Sequence, residues 1–300
     1  MEKMTELLTI FTPTYNRANL LPRLYESLKK QSSKNFIWMV IDDGSTDDTE
    51  KLVNGWIDEC KDFRIEYYKK ENGGLQSGYV KAIEHLNTDL AMCIDSDDRA
   101  TSNAVELIEK AWAEIDHEKY AGFYGLDCYE NGDILGGYFE KEDQILDLID
   151  FAIGKRKRTQ SDRALVIRSN LYKQANPAKR YPGERTMNAT YLHLQISERF
   201  KFVLLNKPLI EVEYQADGLS SGKKRHYISA PNTFADWRLY MLGLPGGTVW
   251  FYFRNAIHYV SSCIFAKRKI INASCPKKMV VVLSIPLGLL LNMYLRLSVR

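Results

Sequence analysis

A chain of 300 residues, 45% hydrophobic and 26% charged, carries enough apolar material for a full core, which excludes disorder. Its 18 Gly, 9 Pro and 5 Cys exclude collagen-like, low-complexity and disulfide-framework classes. The net charge of +3 conceals a split: Trp237 to Arg300 holds nine Lys or Arg and no Asp or Glu, which leaves the first 236 residues at −6. A segment so basic expects an anionic partner. Its positive residues alternate with long aliphatic runs rather than stacking platforms, so the expected partner is a membrane surface and not nucleic acid. Cys60, Cys93, Cys128, Cys263 and Cys275 are odd in number and form no CxxC pair, which fits a reducing compartment. The stretch Met1 to Pro13 has too short an apolar run for a secretory leader, and the expected location is cytoplasmic.

In chain order, apolar runs of strand length occur at Leu7 to Thr12, Phe36 to Ile41, Ile65 to Tyr68 and Leu90 to Ile94. Between them, Leu20, Leu21, Leu24, Tyr25 and Leu28 make one helical face, and Leu52, Val53, Trp56, Ile57 and Cys60 a second. Asn19 is a candidate cap for the first helix, and Ser45 with Asp48 a candidate capping box for the second. A third helix is predicted from Ser77 to Leu86. This alternation predicts an α/β fold, a mostly parallel sheet covered by helices on both faces, with function at the carboxyl ends of its strands. After Asp98 come a helix headed by Ser102, a hairpin of Tyr120 to Tyr129 and Ile134 to Phe139, and a helix over Ile145 to Ile153. A strand at Ala164 to Arg168, a helix near Thr190 to Phe200 and a strand pair around Pro208 follow. The composition shift near Trp237 divides the chain into 1–236, with a nucleotide-binding half 1–99 and an acceptor half 100–236, and a helical tail 237–300.

Three polar clusters fall at the ends of predicted parallel strands: Thr12 to Arg17, Asp42 to Ser45 and Asp95 to Asp98. The first offers an aromatic ring, Tyr15, for a base and a guanidinium, Arg17, for a phosphate. Carboxylates of the second can accept hydrogen bonds from a base or ribose. The third packs three carboxylates into four residues, a repulsion that a divalent cation would neutralise, with a diphosphate completing its shell. Together they describe a site for a nucleotide diphosphate and Mg²⁺ or Mn²⁺.

The strings TPTYNR, VIDDGSTDDT, ENGGLQSGY and CIDSDD resemble those of the family 2 glycosyltransferases with the GT-A fold. SDRALVIRS, YPGERTMNATYLHLQIS and LLNKPLIEVEYQADGLSSG extend the likeness toward bacterial enzymes of capsular and other surface polysaccharides. The resemblance implies a metal-dependent, inverting transfer of a hexose or hexosamine from a nucleotide diphosphate sugar, UDP-linked, to a saccharide or lipid-linked saccharide. It implies that Thr12, Pro13 and Tyr15 line the base pocket, that Asp42 or Asp43 contacts uracil or ribose, and that Arg17 and Gly74 lie near the diphosphate. Asp95 and Ser96 would meet the ribose, Asp97 and Asp98 the metal, and Glu184 or Asp162 would serve as catalytic base.

Leu75, Gln76, Val80 and Ala189 stand where that pattern carries Lys, His, Asn and Glu. A non-catalytic relative that binds nucleotide sugar, or a partner subunit of another transferase, is the alternative. In the tail, Met279 to Leu297 is apolar but interrupted by Pro286, Gly288, Asn292 and Arg296, which favours helices lying in the inner membrane face over a spanning one. Trp250, Phe251, Tyr252 and Tyr259 are expected at headgroup depth, with Lys267 to Lys269 and Lys277 to Lys278 facing anionic lipid.

Overall fold

The computed structural model describes residues 6–140, 144–155, 163–176, 179, 181–185, 189–213 and 223–298. The chain divides into two compact units, one of Met1–Leu148, Thr159–Asn176 and Leu192–Gln215, the other of Ile149–Arg158, Pro177–Tyr191 and Ala216–Arg300. The second unit thus begins at Ala216 and takes in two earlier segments. The charge shift at Trp237 falls inside a single helix and is not a boundary of the fold.

The first unit is built on one sheet. β1 (Leu8–Thr14), β2 (Phe36–Asp42), β3 (Arg64–Lys69) and β4 (Leu90–Cys93) form its parallel half. β5 (Arg99–Ala100), β6 (Tyr120–Cys128), β7 (Ile145–Leu146), β8 (Leu165–Arg168) and β9 (Lys201–Glu211) complete it. The order is β3-β2-β1-β4-β8-β6-β9-β5, with β7 also on β9. β8 runs antiparallel between β4 and β6, so β6 and its parallel neighbour β9 point the same way as β1 to β4.

Both faces of β1, β2 and β4 are covered, which is why they read as near-continuous apolar runs, whereas the edge strand β3 is partly exposed. On one face α1 (Leu21–Lys29) and α2 (Thr49–Glu59) share an aromatic stack in which Tyr25 lies 4.4 Å from Trp56 and 6.0 Å from the fully buried Trp38. On the other, Phe11 meets Tyr79 of α3 (Leu75–His85) and Tyr172 of α6 (Ser169–Gln174) edge to face. α4 (Ala104–Glu114) buries Val105, Ile108 and Trp112; α5 (Leu148–Ala152) and α7 (Thr190–Ser197) are short.

Several expectations are corrected. Ile134 makes only an isolated bridge to Cys128, so the second hairpin strand does not form; β8 and β9 already occupy both edges of β6. The pair around Pro208 is one strand, β9, and Ile145–Leu146 is a strand rather than a helix start. Neither Asn19 nor the Ser45/Asp48 pair caps its helix. Asp47 Oδ1 accepts from the Thr49 N–H and hydroxyl at α2, and Gln31 Oε1 accepts the Val105 N–H at α4 in place of Ser102.

The second unit is helical where it is described. α8 (Lys223–Ser229), α9 (Pro231–Gly243) and α10 (Val249–Phe265) precede α11 (Lys278–Leu283) and α12 (Ile285–Ser298). Pro286, lacking an N–H, sits where α11 gives way to α12. The inward positions of this pair are Val281, Ser284, Gly288, Asn292 and Leu295, spaced by three or four residues. A Cβ on Gly288 would collide with the side chain of Val260 on α10, so glycine permits that close approach. The outward face carries Met279, Val282, Leu283, Leu287, Leu290, Met293 and Leu297, from 46% to 73% exposed. Phe251 and Tyr259, expected at headgroup depth, are buried in the unit's own core, and the Tyr252 hydroxyl is tied to Leu244 O; Trp250, 71% exposed, alone of the four stands well out. No helix among the described residues is long and apolar enough to cross a membrane.

Candidate active site

Parallel register brings the three polar clusters to one edge of the sheet, since Thr14 pairs with Asp42 and Phe11 with Cys93. The loop after β1 is pinned to the loop after β2. Asn16, at φ 52°, donates its N–H to Ser45 Oγ at 2.9 Å and accepts the Thr46 N–H on Oδ1 at 2.8 Å. This leaves Tyr15 46% exposed, a ring face open to a planar ligand. Arg17 is partly buried in the same loop, and Pro13 packs beneath Gly78 of α3, where an added Cβ would come within 3.2 Å. Thr12 is fully buried with its hydroxyl accepting from Trp38 Nε1 at 3.1 Å, so it supports β1 and does not line an open pocket.

The two aspartates of the second cluster are buried and internally bonded. Asp42 accepts the Ser45 N–H at 2.8 Å and the Tyr67 hydroxyl at 2.5 Å; burial, then this carboxylate, pushes the Tyr67 phenol well above its usual range. Asp43 accepts from Lys70 Nζ at 2.5 Å, Gly73 N at 2.9 Å, Gly74 N at 2.7 Å and Ser77 Oγ at 3.1 Å. Both acids therefore shape the site, and the Gly74 N–H is given to Asp43 rather than left for a diphosphate. Gly74 at φ 80° opens α3 in a conformation that suits glycine. Lys70, Tyr67 and Ser77 were not singled out in the sequence. The signal available was a lysine directly after β3, one strand from an acidic cluster.

At the end of β4, carboxylate oxygens of Asp95, Asp97 and Asp98 lie within 4.8 Å of one another. Asp98 accepts the Glu213 N–H at 3.0 Å, which anchors the cluster to the end of β9. Burial, reinforced by the charges of Asp95 and Asp97 and opposed by that hydrogen bond, pushes the Asp98 carboxyl up to about 8. Three hard oxygen donors and an acid reluctant to ionise alone fit a divalent cation, whose charge would reverse the penalty. Ser96 is buried between them. Beside Asp98 an open cleft of about 530 Å³ is lined by Arg99, Tyr129, Glu130, Asn131 and Glu213.

Glu184 belongs to the second unit. Its Oε1 accepts from Asn232 N (2.9 Å) and Nδ2 (2.8 Å), and its Oε2 from Thr233 N (2.8 Å) and Oγ1 (2.7 Å). These groups open α9, so Glu184 acts as an N-cap supplied from elsewhere in the chain. All four acceptor positions of the carboxylate are used, and none is left for an acceptor hydroxyl. Asp162 lies outside the described residues.

The sheet is mostly parallel with carboxylates gathered at one strand end, and residues 9–134 match the family model described as glycosyl transferase family 2. Among named relatives, glycosyltransferase GlyA of Streptococcus pneumoniae is 29% identical over 39% of this chain and 16% of its own length. Chondroitin synthase of Pasteurella multocida is 26% identical over 74% of this chain and 22% of its own. The chain spans between 16% and 42% of the length of the curated relatives it matches. S. aureus TarS 1-349 in complex with UDP-GlcNAc superposes at a TM-score of 0.61 with 16% identity, over 97% of this chain and 92% of that one. A mannosyltransferase from Pyrobaculum calidifontis, in complex with GDP-Man and Mn²⁺, gives 0.52 with 13% identity, over 96% and 87%. The fold is GT-A, as the resemblance implies.

Proposed function

We propose that this glycosyltransferase moves a hexose or hexosamine, with inversion, from a UDP-linked sugar to a lipid-linked saccharide during surface polysaccharide synthesis. The observation that carries this reading is the convergence of Asp95, Asp97 and Asp98 at the carboxyl edge of a family 2 domain. Asp97 and Asp98, with Asp95, would hold Mg²⁺ or Mn²⁺, which when bound supplies charge stabilisation to a departing diphosphate. Tyr15 offers the stacking face for the base, and Arg17 a cation beside the phosphates. Asp43 positions the Gly73–Gly74 turn, and Asp42 holds the start of α2's loop. The cleft beside Asp98, with an aromatic ring and polar side chains of both charges, suits an acceptor sugar. The Mn²⁺ bound by the archaeal neighbour and the UDP-GlcNAc bound by the staphylococcal one support the metal and the donor class.

The outward leucines of α11 and α12, beside Lys277 and Lys278, support attachment at the inner membrane face, where a lipid-linked acceptor resides. The test is release of UDP from a panel of UDP sugars with Mn²⁺. Asp97→Asn is expected to lose at least ~100-fold in rate, about 2.7 kcal/mol of transition-state stabilisation. Near wild-type turnover in that variant sinks the metal assignment. One observation favours a non-catalytic relative: Glu184 is committed to α9. That reading stands if UDP binds and no donor is ever turned over.

A further inference from the structure

The junction of α8, α9 and α10 holds cationic groups with no carboxylate partner among the described residues. Arg238 of α9 donates through Nη1 to Asn255 Oδ1 at 2.9 Å, a neutral acceptor, while its Nε is buried without a hydrogen-bond partner. Arg254 and His258 lie one turn apart on α10, and His258 Nδ1 is likewise buried and unpartnered. The groups feel each other. Burial, then the charges of Arg238 and Arg254, holds His258 down to about 4, and burial together with Arg254 lowers Arg238. A further polar neighbour, Tyr227 of α8, donates its hydroxyl to His258 O at 2.6 Å and accepts from Ser262 Oγ. The described acids of this unit are engaged elsewhere: Asp150 with Lys155, Glu184 with the start of α9, and Asp236 with Arg268 and Tyr181.

A buried guanidinium N–H without an acceptor, and like charges without a counter-charge, are each costly, and one anion would relieve both. We infer that Arg238, Arg254 and His258 form a binding site for a phosphoryl group. Two guanidinium groups suit a multiply charged tetrahedral anion with several acceptor oxygens better than they suit a single carboxylate. These residues belong to the second unit and the Asp95 to Asp98 cluster to the first, and the inference does not rest on the transferase reading. A lipid headgroup and a soluble phosphate share this chemistry, and the experiment separates them.

Full-length protein is titrated with inorganic pyrophosphate in EDTA at fixed ionic strength, following heat and the His258 imidazole resonance. Binding that shifts His258 is expected. Arg254→Gln, at an exposed position, and Arg238→Lys, which keeps charge but loses the fork, should each weaken it at least ~10-fold, about 1.4 kcal/mol. UDP affinity with Mn²⁺ should stay unchanged in both. Flotation on phosphatidylcholine vesicles with and without phosphatidic acid supplies the second arm. Loss of the phosphatidic-acid-dependent part in Arg254→Gln, with no response to free pyrophosphate, assigns the site to a lipid headgroup; the reverse assigns it to a soluble phosphate. The inference is overturned if neither probe binds in a way that Arg254→Gln and Arg238→Lys weaken.

Discussion

α1 and α12 are both leucine-rich amphipathic helices, and they turn opposite sides to the protein. α1 buries Leu21, Leu24, Tyr25 and Leu28 and sends Glu26 and Lys29 to solvent. α12 buries Gly288, Asn292 and Leu295 and sends Leu287, Leu290, Met293 and Leu297 outward. A stripe of leucines therefore identifies a helix but not the side on which the protein lies. α1 is built for water, whereas on the proposed membrane reading the outward face of α12 would meet an apolar phase, with small and polar residues making the contact to α10.

The contrast is sharpest at paired leucines. Leu24→Ala should cost about 2–5 kcal/mol in urea unfolding, because Leu24 is fully buried. Leu290→Glu should stay within about 0.5 kcal/mol of wild type in water yet abolish most vesicle flotation. Equal destabilisation by the two would mean that the outward face is packed against protein, and the comparison would break. Next in size is Asn292→Leu. Asn292 donates to Ser261 O at 3.2 Å and accepts from Arg296 Nε at 2.8 Å, so a larger apolar side chain should lower the melting temperature by the equivalent of about 1–2 kcal/mol. A stabilised variant would show α12 to be an ordinary core helix.

A further comparison sets two carboxylates side by side. Glu184 has four donors, whereas Asp98 accepts the backbone N–H of Glu213 and has two acidic neighbours. Because the folded state keeps a proton on Asp98 up to about 8, its contribution to stability is full below the ordinary carboxylate range and is lost as pH rises through that value. Metal-free protein should thus lose melting temperature between about pH 4 and pH 8 relative to Asp98→Asn. Added Mn²⁺ should raise it more at pH 8 than at pH 6, because cation and proton compete. A flat difference would remove Asp98 from the metal set.

Much of the first unit was legible because β1, β2 and β4 are buried on both faces and their signal is local. The three polar clusters could be placed at one edge from strand order alone. What escaped was carried by long-range contacts. Asp43 looked like a ligand for a base because its donors, Lys70 and Ser77, lie about thirty residues away. Glu184 looked like a base because Asn232 and Thr233 are nearly fifty residues further on. The strand expected at Ile134 to Phe139 failed for the same reason, since β6 was already flanked by β8 and β9. In the tail, composition located the basic and apolar character, but not which of Trp250, Phe251, Tyr252 and Tyr259 would face outward.

The cage around Asp43 also sets when the chain loses its freedom. The segment from Lys70 to Ser77 is held by four hydrogen bonds to one buried carboxylate, and the β2 loop leans on it so closely that a Cβ on Gly44 would stand 3.0 Å from Asn72 N. Its conformational entropy is surrendered during folding, before any nucleotide arrives, rather than at the moment of capture. On the proposed reading, a nucleotide entering beside this turn would meet a wall already ordered, and its affinity would not be reduced by the ordering of a loose loop.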